Sequence, residues 1–82
     1  MIDIKKIKKL LLEKLSLQDI YVTGDSNHID IIAIGNIFIN MNEVQKQQTI
    51  YTPLMKYILE KKIHAISIKT YSIESWNKNK NK

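Results

Sequence analysis

The sequence predicts an α+β fold, an α/β sandwich in the order α-β-β-α-β-α with a three-stranded mixed sheet. Three observations carry this. The first residues place apolar side chains at helical spacing. The next stretch alternates apolar and polar residues around a dense turn cluster. One long helical pattern then separates the second alternating run from the third. A single helix between two strands of one sheet is a crossover, so strands two and three run parallel, with right-handed connection. The short loop between strands one and two makes them an antiparallel hairpin.

Residues 2–15 read as the first helix. Ile4, Ile7, Leu11 and Leu15 form one stripe, flanked by Leu10 and Leu12, with Lys5, Lys6, Lys9 and Glu13 opposite. Asp3 complements the positive end of the helix dipole. Ile20 to Thr23 alternates and is rich in β-formers, so it reads as strand one. Gly24-Asp25-Ser26-Asn27 is the turn. His28 to Ile34 reads as strand two, with Asp30 facing solvent, and Gly35 ends it. Between Gly35 and Met41 a short turn or 3₁₀ segment is expected to tuck Phe38 into the core.

Asn42 and Gln45 have the spacing of a capping box, so the second helix starts there and runs to about Lys61. Its expected apolar stripe is Val44, Tyr51, Leu54, Met55 and Ile58. Pro53 removes a backbone donor inside it, so a kink or break is expected near Thr52. The polar first half (Glu43, Gln45, Lys46, Gln47, Gln48) should project from the body. Ile63 to Tyr71 reads as strand three, beginning near His64. Ser72 to Trp76 reads as a helical turn that lays Trp76 on the core. Asn77 to Lys82 alternates Asn and Lys and reads as a disordered tail, leaving 1–76 as a single domain.

The chain has 82 residues, a net charge of +5 and no cysteine. One small core and no enclosed substrate cavity are what this length allows. Without cysteine there is no disulfide framework, which fits a reducing cytoplasm. No apolar run is long enough to span a membrane. The Lys-rich start followed only by Leu10-Leu11-Leu12 is too short for a secretory leader, so it reads as mature protein. All 13 basic residues are Lys. Arg, the usual reader of guanine and bidentate clamp of phosphate, is missing, which argues against sequence-specific DNA recognition.

The chemistry concentrates in two histidines, His28 and His64. Each begins one of the two parallel strands, so the topology puts both at one end of the sheet. With Asp25 and Asp30 nearby, two neutral imidazoles are candidate metal ligands. Ordinary exposed strand positions are the other reading, and spacing alone leaves both open. An iron–sulfur cluster here would need thiolates from another molecule, as imidazoles replace thiolates on one iron of Rieske centres.

The runs Val22-Thr23-Gly24-Asp25-Ser26-Asn27-His28, Gly35 with Phe38, Val44 through Met55, Ile63-His64-Ala65-Ile66-Ser67-Ile68-Lys69 and Glu74-Ser75-Trp76 occur in order along nearly the whole chain. This pattern resembles the BolA family, in particular its IbaG-like branch. The resemblance implies a class II KH-like topology and a partnership with a monothiol glutaredoxin, the two proteins sharing a [2Fe–2S] cluster. It implies His64 as one ligand and His28 as the second, with thiolates from the partner and its glutathione, and no cofactor when the chain is alone. Lys46, Gln47, Gln48 and Lys69 are the expected partner-binding residues. The family is also linked to acid or oxidative stress and, in some members, to DNA. Three features depart from the family pattern, one being Gln47 and Gln48 where basic residues are often seen near the start of the central helix. Ile29 stands where Phe usually follows the loop histidine. Asn40 stands where Gly is usual, and Asn tolerates the left-handed backbone better than other non-glycine residues.

A nucleic-acid-binding transcriptional regulator of KH-like topology is the alternative function. It lacks the GXXG loop that clamps a strand, since the only glycines are Gly24 and Gly35. A homodimer is a further partner option. An enzyme is disfavoured: Ser67 and Asp30 are imaginable beside a histidine, but no serine has nucleophile-elbow glycines.

Overall fold

The computed structural model describes residues 3–25 and 27–80. The order is α1 (Ile4–Lys14), β1 (Asp19–Gly24), β2 (Ile29–Ile34), a 3₁₀ turn (Asn36–Phe38), α2 (Glu43–Leu59), β3 (Ile66–Tyr71) and α3 (Ile73–Lys80). The sheet order is β1-β2-β3, with β1 antiparallel to β2 and β2 parallel to β3. The fold class and the mixed sheet are as the sequence predicts. Among the described residues no helix is long and apolar enough to cross a membrane.

Local chemistry explains each start. Asp3 caps α1 by accepting the Lys5 amide. Ile7 and Leu11 carry the buried stripe of that helix. Ile2 lies outside the described residues. Asn42 and Gln45 complete the capping box of α2, with bonds of 3.0 and 2.8 Å between side chain and backbone. Phe38 is fully buried, swung inward by the 3₁₀ turn.

Helix α2 corrects three expectations. It runs without interruption through Pro53. Ile50 and Leu54, both fully buried, anchor the turns on either side of the proline to one core, which offsets the lost backbone bond. The stripe is phased on Ile50 and Leu54, with Tyr57 and Ile58 packing beside them; Val44 and Met55 are exposed. The first half projects only in part: Glu43, Gln45 and Gln48 are exposed, while Lys46 is mostly covered and Gln47 donates from Nε2 to the Ile68 carbonyl at 3.3 Å. That bond covers an outward-facing carbonyl on the β3 edge.

The helix ends in a Schellman turn. Lys61 and Lys62 donate their amides to the Ile58 and Tyr57 carbonyls at 3.1 and 2.9 Å. Lys61 takes φ 61°, the only positive φ at a non-glycine residue among those described. Asn40 therefore adopts no left-handed conformation, and the missing family glycine costs nothing there. Strand β3 starts at Ile66, not at Ile63, because the chain spends Lys61 to Ala65 leaving that turn.

The two sheet faces differ. Ile20, Ile29, Ile31 and Ala33 face α1 and α2 and form the main core with Phe38. On the outer face the register stacks Asp19, Ile34 and Tyr71, then Tyr21, Ile32 and Lys69, then Thr23, Asp30 and Ser67. Trp76 packs on this outer face, not on the main core: its ring centroid lies 5.6 Å from that of Tyr21 and 5.3 Å from that of Tyr71. Ile34 is buried yet lies outside the main core cluster. Asp19, two residues before Tyr21, raises that phenol above 10.0 by hydrogen bond and charge, with a smaller desolvation effect.

Residues 77–80 are helical, where a disordered tail was expected. The Ser72 hydroxyl accepts the Ser75 amide at 3.1 Å, and Glu74 pairs with Lys78 at 3.3 Å, so the segment has a cap and an i,i+4 pair. Asn81 and Lys82 lie outside the described residues.

The left-handed residue gives a test. Glycine carries no Cβ penalty at this position, so Lys61→Gly should stabilise the protein by about 0.5–1 kcal/mol. The urea midpoint should rise at unchanged slope; a lowered midpoint would refute the Schellman assignment.

Candidate functional site

His28 is placed by the β1–β2 turn. The Asp25 carboxylate accepts the Asn27 and His28 amides at 2.9 and 3.3 Å, and the Asp25 amide donates to the His28 carbonyl at 3.0 Å. This Asx-type turn needs Gly24, whose φ is 103°. A Cβ there would collide with the His28 carbonyl oxygen. Ser26 of the turn lies outside the described residues.

His64 is placed from the other side. Its neighbour Ile63 is buried and anchors the segment after α2. Its other neighbour, Ala65, accepts the Ile29 amide at 3.0 Å. Each histidine is thus one residue from the same backbone hydrogen bond, at the open end of the β2–β3 pair. Both side chains are exposed. The topology brings them to one end as expected, although His64 sits in the loop before β3 and His28 directly precedes β2.

The His28 ring is held in place. Its Nε2 lies 3.1 Å from Asp30 Oδ1 and 3.0 Å from Ser67 Oγ. Asp30 and Ser67 are register partners, so the ring bridges β2 and β3. The sequence brings Asp30 under His28 by the two-residue period of a strand; Ser67 depends on parallel register that sequence does not specify. The arrangement is no nucleophilic relay. A relay needs serine on one ring nitrogen and aspartate on the other, and here both meet the same one.

The donor set is incomplete for a metal. Among the described residues no group of three or more His, Cys, Asp or Glu side chains is placed to hold an ion. Two imidazoles and no thiol are half of a four-ligand site.

The other expected site residues divide. Lys69 lies on the exposed outer face, one register row from Ser67. Lys46 is mostly covered and pairs with Glu43 at 3.2 Å. Gln47 is engaged with the β3 edge. Gln48 is exposed beside a shallow groove of about 320 Å³ with Met41 and Thr52. A larger open cleft of about 640 Å³, between Phe38, Ile39, Lys46, Tyr71 and Lys78, lies toward the Tyr71 end of β3, away from both histidines.

Known proteins match this chain along most of its length. A family model described as BolA-like protein matches residues 6–75. A protein of Buchnera aphidicola subsp. Schizaphis graminum is 59% identical over 75 residues, covering 92% of this chain and 94% of its own. The acid stress protein IbaG of Escherichia coli K12 is 48% identical over 71 residues, covering 87% of this chain and 84% of its own. In shape, a bol-like protein from Babesia bovis superposes with a TM-score of 0.81 at 20% identity, covering all of this chain and 96% of its own. That last likeness bears on the fold alone.

The turn that places His28 is testable in the isolated chain. Gly24→Ala should cost roughly 1–3 kcal/mol, the range for a side chain forced into a strained backbone. The amide resonances of Asn27 and His28 should shift with it. Wild-type stability and unmoved resonances would show that the turn does not depend on this glycine.

Proposed function

This chain belongs to the BolA-like family, and from that premise we propose that it is a binding module which shares a [2Fe–2S] cluster with a monothiol glutaredoxin in the cytoplasm. His64 and His28 are its two ligands, and the role is iron–sulfur trafficking or sensing, with a part in the stress response. The observation that carries this reading is the pairing of β2 with β3, which brings two exposed imidazoles to one sheet end in a chain without cysteine.

The residues present fit half of such a site. Two imidazoles can serve one iron, as in Rieske-type centres, and thiolates must then come from outside the chain. The cluster, when bound, supplies one-electron redox chemistry and a transferable unit of iron and sulfide. The chain's own part is to present the imidazoles on rigid supports. His64 is held between buried Ile63 and the Ala65–Ile29 hydrogen bond, and His28 by the Asp25 turn. Exposure of both rings leaves them open to a partner surface. Lys69, on the outer face with His28, suits the rim of such an interface better than Gln47, which the β3 edge already occupies.

Co-expression with a monothiol glutaredoxin tests the reading. A coloured complex should co-purify, and His64→Ala should abolish or strongly alter its visible absorption while leaving the isolated chain folded. An unchanged spectrum in that variant would remove His64 as a ligand, and failure of any glutaredoxin to co-purify with iron would defeat the proposal.

A further inference from the structure

The bonds around His28 say which of its nitrogens is available. A carboxylate is an acceptor only. At 3.1 Å from Nε2, the Asp30 oxygen would face a lone pair unless that nitrogen carries the proton. Nε2 is therefore the donor, and the Ser67 hydroxyl at 3.0 Å shares the same N–H as a second acceptor. In the neutral ring the lone pair is then on Nδ1.

We propose that Asp30 and Ser67 are positioning residues that grip His28 by Nε2–H and leave Nδ1 as its ligating nitrogen. This rests on the cluster-sharing reading above and names how this chain prepares its half of the site. A ligating histidine commonly donates its other N–H to a carboxylate, which sets the tautomer and orientation and makes the ring a stronger donor. Here the carboxylate stands on β2 and the hydroxyl on β3, in register, so the grip spans two paired strands. Nothing in it requires a partner, so the ring is arranged before any partner arrives. Asp30 is about half exposed in the free chain. A partner docked over this end would exclude water and strengthen the same hydrogen bonds.

Two measurements test this, the first without any cluster. In the isolated chain, nitrogen-15 shifts of the neutral imidazole should report His28 almost wholly as the Nε2–H tautomer. Asp30→Ala combined with Ser67→Ala should return it to the mixed population of a free imidazole, with the backbone spectrum otherwise retained. An Nδ1–H ring in the wild type, or shifts indifferent to both substitutions, overturns the proposal. In the complex with glutaredoxin, Asp30→Ala should raise the reduction potential and speed cluster loss to a chelator, with affinity falling roughly 10–100-fold. Asp30→Asn, which keeps an acceptor without the charge, should fall between. His28→Ala run in parallel separates the failures. If it changes neither potential nor retention, His28 is no ligand and the cluster-sharing reading fails at this residue. If it changes both while Asp30→Ala changes neither, the positioning role alone is wrong.

Discussion

The parallel pairing of β2 with β3 is the constraint on which the rest depends. It follows from one fact of connectivity: a single helix joins the two strands, so the chain must cross the sheet and return in the same direction. From that return come the buried positions of Ile50 and Leu54 on the crossover helix, and the convergence of two segments far apart in sequence. An antiparallel return would have put His64 at the Ile34 end, away from His28. The backbone bond from Ile29 to Ala65 is where this constraint becomes a site, since each histidine adjoins one of its two residues.

A three-stranded sheet with two helices on one face has a second face to manage. This protein divides it. At one end α3 brings Trp76 against Tyr21 and Tyr71, which covers apolar surface that would otherwise face water. At the other end the face is polar, with Asp30, Ser67 and His28 exposed. The β3 edge is managed too, by the Gln47 side chain on the Ile68 carbonyl. The apolar cover and the candidate site thus occupy opposite ends of one surface.

Most of the fold was legible because its signals are local. The Asn42–Gln45 capping box, the Gly24-Asp25 turn and the alternation of β1 and β2 each act within a few residues, and each was met in place. Where structure and sequence pattern part, non-local packing decides. Pro53 disfavours a helix locally, but Ile50 and Leu54 bind its two sides to the same core, and tertiary packing prevailed. The phase of α2 is not legible locally because Val44 and Met55 are apolar like Ile50; only the position of the sheet decides which face is buried. Ile63 to Ala65 has strand-like composition, but the Schellman turn at Lys61 sets where β3 pairing begins. Trp76 packs on the outer face because α3 folds back on that side of the sheet, which no local pattern specifies. The Asp30 contact was within reach, being two residues from His28 on one strand. The Ser67 contact was not, because it needs the β2–β3 register.

The incompleteness of the site is itself informative. Two exposed imidazoles with a carboxylate bound to one of them bind a metal weakly by themselves, since open positions are filled by water and nothing encloses the ion. A closed four-ligand site on this chain would hold its metal and give it up slowly. On the proposed reading, a half-site short of thiolates gains its full affinity only when a second protein covers it and supplies them. On the proposed reading, the absence of cysteine is therefore a functional property: it makes cluster binding conditional on the partner, which is what separates a protein that passes or senses a cluster from one that keeps it.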